Sequence, residues 1–163
     1  MQEGSNASIR QENVEIARNC MEHRAIWMAL IYDEMVKAGV PDAEQITRRA
    51  IYRCGQYHGS GIKEQCGGSS DCRKFACAFN SDLDLGIFEA EMSSQQDAVQ
   101  VDFHHCPLLS GWRKLGLDEE RLSLLCDMAM EGDRGIAAEN GLRLDLKETL
   151  ARGDAVCKME LHR

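Results

Sequence analysis

Two histidines and a cysteine stand side by side in the sequence at His104, His105 and Cys106, directly before Pro107. The alternating residues ahead of them predict a strand, and the proline favours a helix start, so the three side chains are expected where strand meets helix. A thiol at a helix start can have a lowered pKa, and a neighbouring imidazole helps to form the thiolate. The pattern predicts Cys106 as a nucleophile and one histidine as its base. Strand alternation does not decide whether His104 or His105 is the base. The other interpretation is that Cys106 is a buried and unreactive thiol.

An acidic residue lies within an apolar face of the helix predicted between Asp118 and Gly141. The face is spaced by four and three residues and consists of Leu122, Cys126, Ala129, Asp133 and Ile136. Because an unpaired buried carboxylate is costly, we expect Asp133 to meet a cation. The candidate cations are Arg134, Arg49 and Arg53. If the helix ends at Gly132 instead, Asp133 is a solvated cap.

Eight cysteines are spread over the chain without a CxxC pair, which argues against a thioredoxin-like motif and a zinc ribbon. Three of them, Cys106, Cys126 and Cys157, come from separate predicted elements. If they meet in space, they form a thiol-rich pocket or, together with His105, a tetrahedral site for a divalent metal. The alternative is that each is an ordinary core cysteine. The spacing of Cys66, Cys72 and Cys77 is too wide for a zinc knuckle, and the sequence assigns them no role.

The N-terminal part of the chain has helical patterns. Apolar residues at helical spacing predict a long, largely buried helix over 12–38, which Gly39 ends, and a second helix from Pro41 to about Tyr57. These two helices are expected to pack as a hairpin. The glycine- and serine-rich stretch 58–72 predicts an exposed loop.

Short alternating stretches follow and predict an antiparallel sheet. They cover 75–79, 86–92, 98–105, 142–146 and 155–162. Two helices interrupt them, a short one over 108–116 and a longer one over 118–141. Helices first and an interrupted sheet afterwards are typical of an α+β fold, here an N-terminal helical hairpin packed on an antiparallel sheet with interspersed helices.

The composition narrows the classes of partner. With 27 acidic and 19 basic residues among 163, the chain has a formal charge of −8, which argues against nucleic acid and membranes as partners. The length is typical of a single domain, predicted over 11–163 after a disordered segment at 1–10. The polar start and the lack of a run of about 18 apolar residues predict a cytoplasmic protein with reduced cysteines. The sequence does not decide whether the chain forms a homo-oligomer.

Three segments of the C-terminal part carry a family resemblance. They read HHCPLLSGWRKLGL, LLCDMAMEGDRGIAAENG and GDAVCKMELHR, cover roughly Phe103 to Arg163, and resemble the family of L-2-amino-thiazoline-4-carboxylic acid hydrolases. The segment AIYRCG at 50–55 adds weaker similarity. The resemblance implies a small cytosolic hydrolase that acts on a C–N bond of a cyclic amidine or isothiourea and yields N-carbamoyl-cysteine from 2-amino-thiazoline-4-carboxylate.

The reaction implied by the resemblance needs a nucleophile, a base, an acid facing the amidine and a cation for the substrate carboxylate. The residues assigned are Cys106 as nucleophile or water-positioning thiol, His105 or His104 as base, Asp133 as the acid and Arg134 as the cation, with Trp112, Cys126 and Cys157 as further substrate contacts. The Gly-Asp-to-Cys ending also resembles vinyl-reductase-type domains. The alternative function is therefore a non-catalytic small-ligand or metal-binding sensor.

Overall fold

The structure, a computed structural model, describes residues 3–163, with side chains from residue 13 onward. The helices are α1 (Glu3–Lys37), α2 (Ala43–Gln65), α3 (Cys72–Phe79), α4 (Asp82–Phe88), α5 (Pro107–Lys114), α6 (Glu119–Ala129) and α7 (Glu131–Glu139). The strands are β1 (Ala90–Ser94), β2 (Ala98–Phe103), β3 (Arg143–Glu148) and β4 (Cys157–His162), and Leu150–Arg152 is a 3-10 turn. The α+β fold with N-terminal helices is confirmed. The disorder expected over residues 1–10 falls outside the described side chains and stays a prediction.

The four strands form one antiparallel sheet in the order β1-β2-β4-β3. β2 and β4 pair along their length, with Val101 opposite Met159 and Val99 opposite Leu161. These four side chains are fully buried, and the residues between them are more exposed, so the predicted alternation of both strands is confirmed. Helix α3 contacts β1 and β2, and α7 contacts β3.

The stretches 75–79 and 86–88 are helical, which corrects two predicted strands. The first belongs to α3, where the carboxylate of Asp71 caps the helix by accepting the Arg73 N–H at 2.8 Å. The two phenylalanines of α3 stack at the four-residue spacing of one helix face. The second ends α4, which begins with a capping box, so only the later part of that predicted strand becomes β1. A short apolar run fits either structure, and here the caps favour helix.

Helix α2 continues beyond the predicted end at Tyr57. It runs to Gln65, so only residues 66–71 form the loop that the sequence predicts over 58–72. Glycines and serines favour a loop in isolation because they form helices poorly. In the folded chain two glycines of this helix are buried, and α7 covers them.

From residue 13 onward, helix α1 is buried along one face only, whereas the sequence predicts a largely buried helix over 12–38. Ala25, Ala29 and Tyr32 are buried in the core, but Trp27 exposes 61% of its surface. The helix ends before Gly39 as predicted, and this glycine has a φ of 67°. A short turn leads into α2, yet α1 makes most of its contacts with α5, and α2 makes most of its own with α7. None of the helices within residues 3–163 has the length and apolar character needed to cross a membrane.

Helices α2 and α7 approach within backbone contact because glycines face each other. A Cβ on Gly55 would lie 2.0 Å from the carbonyl oxygen of Gly132, and a Cβ on Gly135 would lie 2.3 Å from a carbonyl oxygen of α2. Asn140 adds a polar link, since its side-chain amide donates to the carbonyl oxygen of Gly59 at 3.0 Å. No side chain larger than hydrogen fits at the crossing, which explains the glycines inside α2.

Helices α6 and α7 are separate, which corrects the single helix predicted over 118–141. Asp118 caps α6 by accepting the Arg121 N–H at 2.8 Å, and Gly141 follows α7 with a φ of 72°, both as predicted. Met130 separates the two helices. The break allows α6 to pack against the 3-10 turn while α7 follows α2.

Replacing Gly55 by alanine should destabilise the protein. The new methyl group would overlap a backbone oxygen, so the helices must move apart, and we expect the free energy of unfolding to fall by about 3 kcal/mol. Gly61 on the same helix has open space around it, so Gly61→Ala should be neutral or stabilising by up to about 1 kcal/mol. Urea unfolding followed by circular dichroism compares the two variants. Equal stability of the pair would contradict the close crossing.

Candidate functional site

Three of the predicted site cysteines are neighbours at one end of the sheet. Cys157 begins β4 and lies opposite Phe103, shortly before Cys106 at the start of α5. Cys126 lies on α6, which packs against the 3-10 turn, and the Leu150 N–H of that turn donates to the Cys157 sulfur at 3.3 Å. Both other thiols contribute to the raised pKa of Cys126. The thiols therefore lie close together, and a substrate pocket bounded by them stays a prediction.

Burial keeps these thiols protonated at neutral pH. It raises the pKa of Cys126 to about 12 and that of Cys157 to about 11, and it raises the pKa of Cys106 as well. Backbone N–H groups of Leu108 and Leu109 oppose the rise at Cys106, but burial outweighs them. The lowered pKa predicted for Cys106 is therefore wrong, because desolvation exceeds the effect of the helix start.

Asp133 lies in the first turn of α7, and its charge raises the pKa of Cys106 further. Burial raises the pKa of Asp133 to about 6, and two cations offset part of that rise, Arg24 of α1 first and Arg134 second. The helix continues through Gly132, so the solvated-cap alternative is wrong. The sequence analysis names Arg134 as a cation for Asp133 but does not name Arg24. The only sequence signal for Arg24 is a charged residue beside the buried alanines of α1.

Arg134 belongs to an ion-pair network. Its guanidinium donates to the carboxylates of Asp127 and Glu131, each at 2.8 Å. Arg48 of α2 meets the same two carboxylates at 2.8 and 3.3 Å. The network links α2, α6 and α7, and both arginines are half-buried. Three of the five N–H donors of Arg134 are thus used within the protein, and its role as the cation for a substrate carboxylate stays a prediction.

The two histidines after β2 have different surroundings. His104 is exposed, and its Nε2 lies 3.7 Å from the Glu91 carboxylate of β1. His105 is half-buried, and its backbone N–H donates to the Phe88 carbonyl oxygen at 2.9 Å. The role of base predicted for His104 is not supported, since its ring faces Glu91 and solvent. The same role for His105 stays a prediction.

Trp112 is a core residue, which corrects its prediction as a substrate contact. Only 1% of its surface is exposed, and its indole N–H donates to the Ala25 carbonyl oxygen at 2.8 Å. This hydrogen bond satisfies the polar end of the ring inside the protein. Trp112 therefore joins α5 to α1.

The cysteines do not form the metal site considered from the sequence. Among the described side chains, no group of three His, Cys, Asp or Glu residues is arranged to hold a metal ion. The candidates for a tetrahedral site, Cys106, Cys126, Cys157 and His105, are thus not brought into one. All eight cysteines are free thiols. Cys66 and Cys72 are buried in the apolar core, which raises the pKa of both, and Cys77 is exposed.

A separate cavity, the arginine cleft, opens beside α2 and the start of α7. It has a volume of about 390 Å³ and is lined by Gln45, Arg48, Arg49, Tyr52, Arg53 and Glu131. Arg48 is held by carboxylates, whereas Arg49 and Arg53 are exposed one turn apart on α2. Arg49 and Arg53, which the sequence offers as cations for Asp133, therefore line the arginine cleft instead.

The fold and these side chains define a small α+β domain with three neighbouring thiols and a carboxyl group, all of raised pKa. Residues 18–161 match the family described as L-2-amino-thiazoline-4-carboxylic acid hydrolase. The chain belongs to this family, as the resemblance of its C-terminal segments predicts. No curated protein matches the sequence.

A solved structure has a similar fold. It is a trafficking protein particle complex subunit 3 from Naegleria fowleri, covalently bound to palmitic acid. The TM-score is 0.52 at 16% sequence identity, and the match covers 85% of this chain and 94% of that one. At this identity the likeness shows the fold alone.

Thiol-specific labelling should divide the cysteines into two groups. Cys20, Cys54 and Cys77 are exposed and should react readily with a maleimide, whereas the thiols of Cys106, Cys126 and Cys157 should react at least about 100-fold more slowly. The reason is that Cys157 is buried, Cys106 and Cys126 are half-buried, and the raised pKa keeps all three thiols protonated. Peptide mapping of a labelling time course measures each rate, and the unfolded protein serves as the control in which all eight react. Rapid labelling of folded Cys106 would contradict the raised pKa.

Asp133→Asn should stabilise the protein at neutral pH. Because the folded-state pKa of Asp133 is about 6 and its ordinary value is 3.8, folding favours the protonated form. The stability that this form contributes is present below the ordinary pKa and is lost as the pH rises through about 6, a cost on the order of 2 kcal/mol at neutral pH. Asparagine avoids that cost.

Unfolding free energies of parent and Asp133→Asn across acidic to neutral pH test this expectation. The difference in favour of the variant should grow as the pH rises, and Asp102→Asn on β2 provides the control. A difference that is constant with pH would show that Asp133 has an ordinary pKa.

Proposed function

We propose that this protein works in the cytoplasm and opens the ring of a small cyclic amidine or isothiourea that carries a carboxylate. Family membership favours 2-amino-thiazoline-4-carboxylate as the substrate and N-carbamoyl-cysteine as the product. The observation that carries the proposal is the Asp133 carboxyl group, with a pKa of about 6, near the Cys106 thiol and the Arg24 guanidinium. A carboxyl group poised near neutral pH suits general-base hydrolysis.

Asp133 is the general base of the proposed reaction. As a carboxylate it takes a proton from water while the water oxygen bonds to the ring carbon between nitrogen and sulfur. The carbon–nitrogen double bond of the ring becomes a single bond, and the second water proton moves from the oxygen to the ring nitrogen as the carbonyl forms. The carbon–sulfur bond then breaks, and the proton held by Asp133 passes to the departing sulfur. Substrate plus one water thus gives the free thiol product and restores the carboxylate. Both carbon–nitrogen bonds survive in N-carbamoyl-cysteine, so the bond broken in this proposal is the carbon–sulfur bond and not the C–N bond implied by the resemblance.

Cys106 acts in this proposal as a neutral thiol that positions the water. The sequence allows a nucleophile or a water-positioning group, and the raised pKa of the thiol favours the second, because a protonated thiol is a poor nucleophile. Cys126 and Cys157 add a weakly polar wall beside it. A weakly polar surrounding also maintains the raised pKa of Asp133.

Arg24 binds the substrate carboxylate in this proposal. It is exposed on α1 and is the cation that acts most strongly on Asp133. Arg134 has the same charge, but its guanidinium is already held by the carboxylates of Asp127 and Glu131. A substrate whose carboxylate meets Arg24 gains a charge-assisted hydrogen bond there, which places its amidine carbon beside the water that Asp133 activates.

Ring-opening assays should separate base from nucleophile. Asp133→Asn should lower kcat by at least about 100-fold, because an amide cannot take the proton. Cys106→Ser should lower kcat by less than about tenfold, because a hydroxyl still positions water, whereas loss of a nucleophilic thiolate would abolish turnover. The parent's kcat/KM should rise with pH through the Asp133 pKa of about 6 and then level off. Product formation is followed by the appearance of a free thiol and a mass gain of one water.

A screen of cyclic amidines and isothioureas, with 2-amino-thiazoline-4-carboxylate included, decides the reaction class. Absence of ring opening across the screen would overturn the hydrolase proposal. Full activity of Asp133→Asn on a true substrate would keep the hydrolase and overturn the assignment of the base.

Arg24→Gln should raise KM for a carboxylate substrate about tenfold and leave kcat little changed, which is the loss expected for one charged hydrogen bond. Arg143→Gln, which removes the same charge from exposed β3, is the matched control and should leave both constants unchanged. Equal KM values for the two variants would show that Arg24 does not bind the carboxylate.

A second candidate function is non-catalytic binding of a small anion, which corresponds to the sensor alternative. The arginine cleft favours it, because exposed Arg49 and Arg53 stand one turn apart at a cavity on an otherwise acidic chain. Calorimetry with inorganic phosphate and with small carboxylates tests this site. Binding that is lost in Arg49→Gln and Arg53→Gln, retained in Asp133→Asn and accompanied by no turnover would favour the sensor.

A further inference from the structure

An apolar stripe runs along the solvent-facing side of α1. This α1 apolar stripe consists of Ile16, Cys20, Trp27, Leu30 and Ile31. The exposed fractions are 60% for Ile16, 61% for Trp27, 47% for Leu30 and 57% for Ile31, and Cys20 is exposed as well. The opposite side of the same helix packs into the core through Ala25, Ala29 and Tyr32. Helix α1 is therefore apolar on two opposite sides, and one of them faces solvent.

The α1 apolar stripe has the spacing of a coiled-coil seam. The seam consists of four stripe residues, Ile16, Cys20, Trp27 and Leu30, together with the polar His23, and its positions are spaced by four, three, four and three residues. Residues with this spacing lie on one side of a helix and mesh with a second helix of the same spacing. From the first to the last residue the stripe is about 22 Å long, which is enough for several layers of contact.

We propose that a second copy of this chain covers the stripe, with α1 packed against α1 in a two-fold symmetric dimer. A symmetric dimer uses the same surface patch on both copies. Because the seam of one copy has the same spacing as the seam of the other, the two can pack together without a second kind of patch. The stripe exposes roughly 500 Å² per copy, which places two copies near the roughly 1,000 Å² that a specific interface needs. Trp27 provides a large aromatic anchor at the centre of the patch.

The charge distribution fits a second copy. Each copy has a formal charge of −8, so a self-interface has to be free of the acidic residues that dominate the surface. The five seam positions between Ile16 and Leu30 hold no Asp, Glu, Lys or Arg, and Glu34 at the next seam position ends the seam. The acidic residues of the two copies then repel each other only from outside the seam, over longer distances at which salt screens the repulsion. Added salt should therefore strengthen the dimer.

Sedimentation velocity on the full chain over a concentration series tests the proposal. A reductant is included so that exposed Cys20 cannot cross-link the copies. The parent should sediment as a dimer, and Trp27→Glu should raise the dissociation constant by at least about 30-fold, as expected for a central aromatic anchor. Ile31→Glu should act in the same direction. Val36→Glu is the matched control, because Val36 is 44% exposed on the same helix but lies off the stripe.

The fluorescence of Trp27 gives an independent local measurement. Trp112 is already buried and contributes a constant signal, so a shift of emission to shorter wavelength with rising concentration reports burial of Trp27. Circular dichroism shows that the variants fold, since the changed side chains face solvent in the single copy. If the parent stays monomeric at every concentration, the proposal is overturned. This is the result expected if a different protein covers the stripe. Equal dissociation constants for Trp27→Glu and Val36→Glu overturn it as well.

Discussion

The close crossing of α2 and α7 is the contact on which the rest of the structure depends. Glycines on both helices allow the backbones to touch, because a Cβ at Gly55 or Gly135 would overlap a carbonyl oxygen. Helix α7 reaches this position by separating from α6 at Met130, and the ion pairs of Arg48 and Arg134 hold the three helices around the break. The crossing thereby sets where the first turn of α7 lies, and the next element along the chain is β3 at the edge of the sheet.

Burial determines the chemistry of the site that results. The same desolvation raises the pKa of thiols and of carboxyl groups, but from different starting values. The pKa values of the thiols move further above neutral pH, so the thiols become less reactive. The pKa of the Asp133 carboxyl group moves to about 6, which suits a general base. An acid in this position costs stability at neutral pH. Such a cost is common where a side chain serves a reaction, and it is the physical reason why our proposal places the general base at Asp133.

Family and fold give different kinds of information about this protein. The match over residues 18–161 shows membership of a hydrolase family, whereas the trafficking subunit shares the fold at 16% identity. One fold can host unrelated functions, so the function is argued from the site and its surroundings. Helix α1 contributes to two of these arguments. Its Arg24 acts on Asp133, and its opposite apolar sides serve the core and, in our proposal, a second copy.

Local patterns in the sequence determined the strands β2 and β4, the cap at Asp118, the helix ends before Gly39 and Gly141, and the family. These features depend on neighbouring residues and on backbone conformation, which a local pattern contains. Tertiary structure alone decided that 75–79 is helical, that α2 passes through its glycines, and that Arg24 acts on Asp133. It also reversed the expected pKa shift of Cys106, because a pKa depends on desolvation and on charges brought from distant parts of the chain.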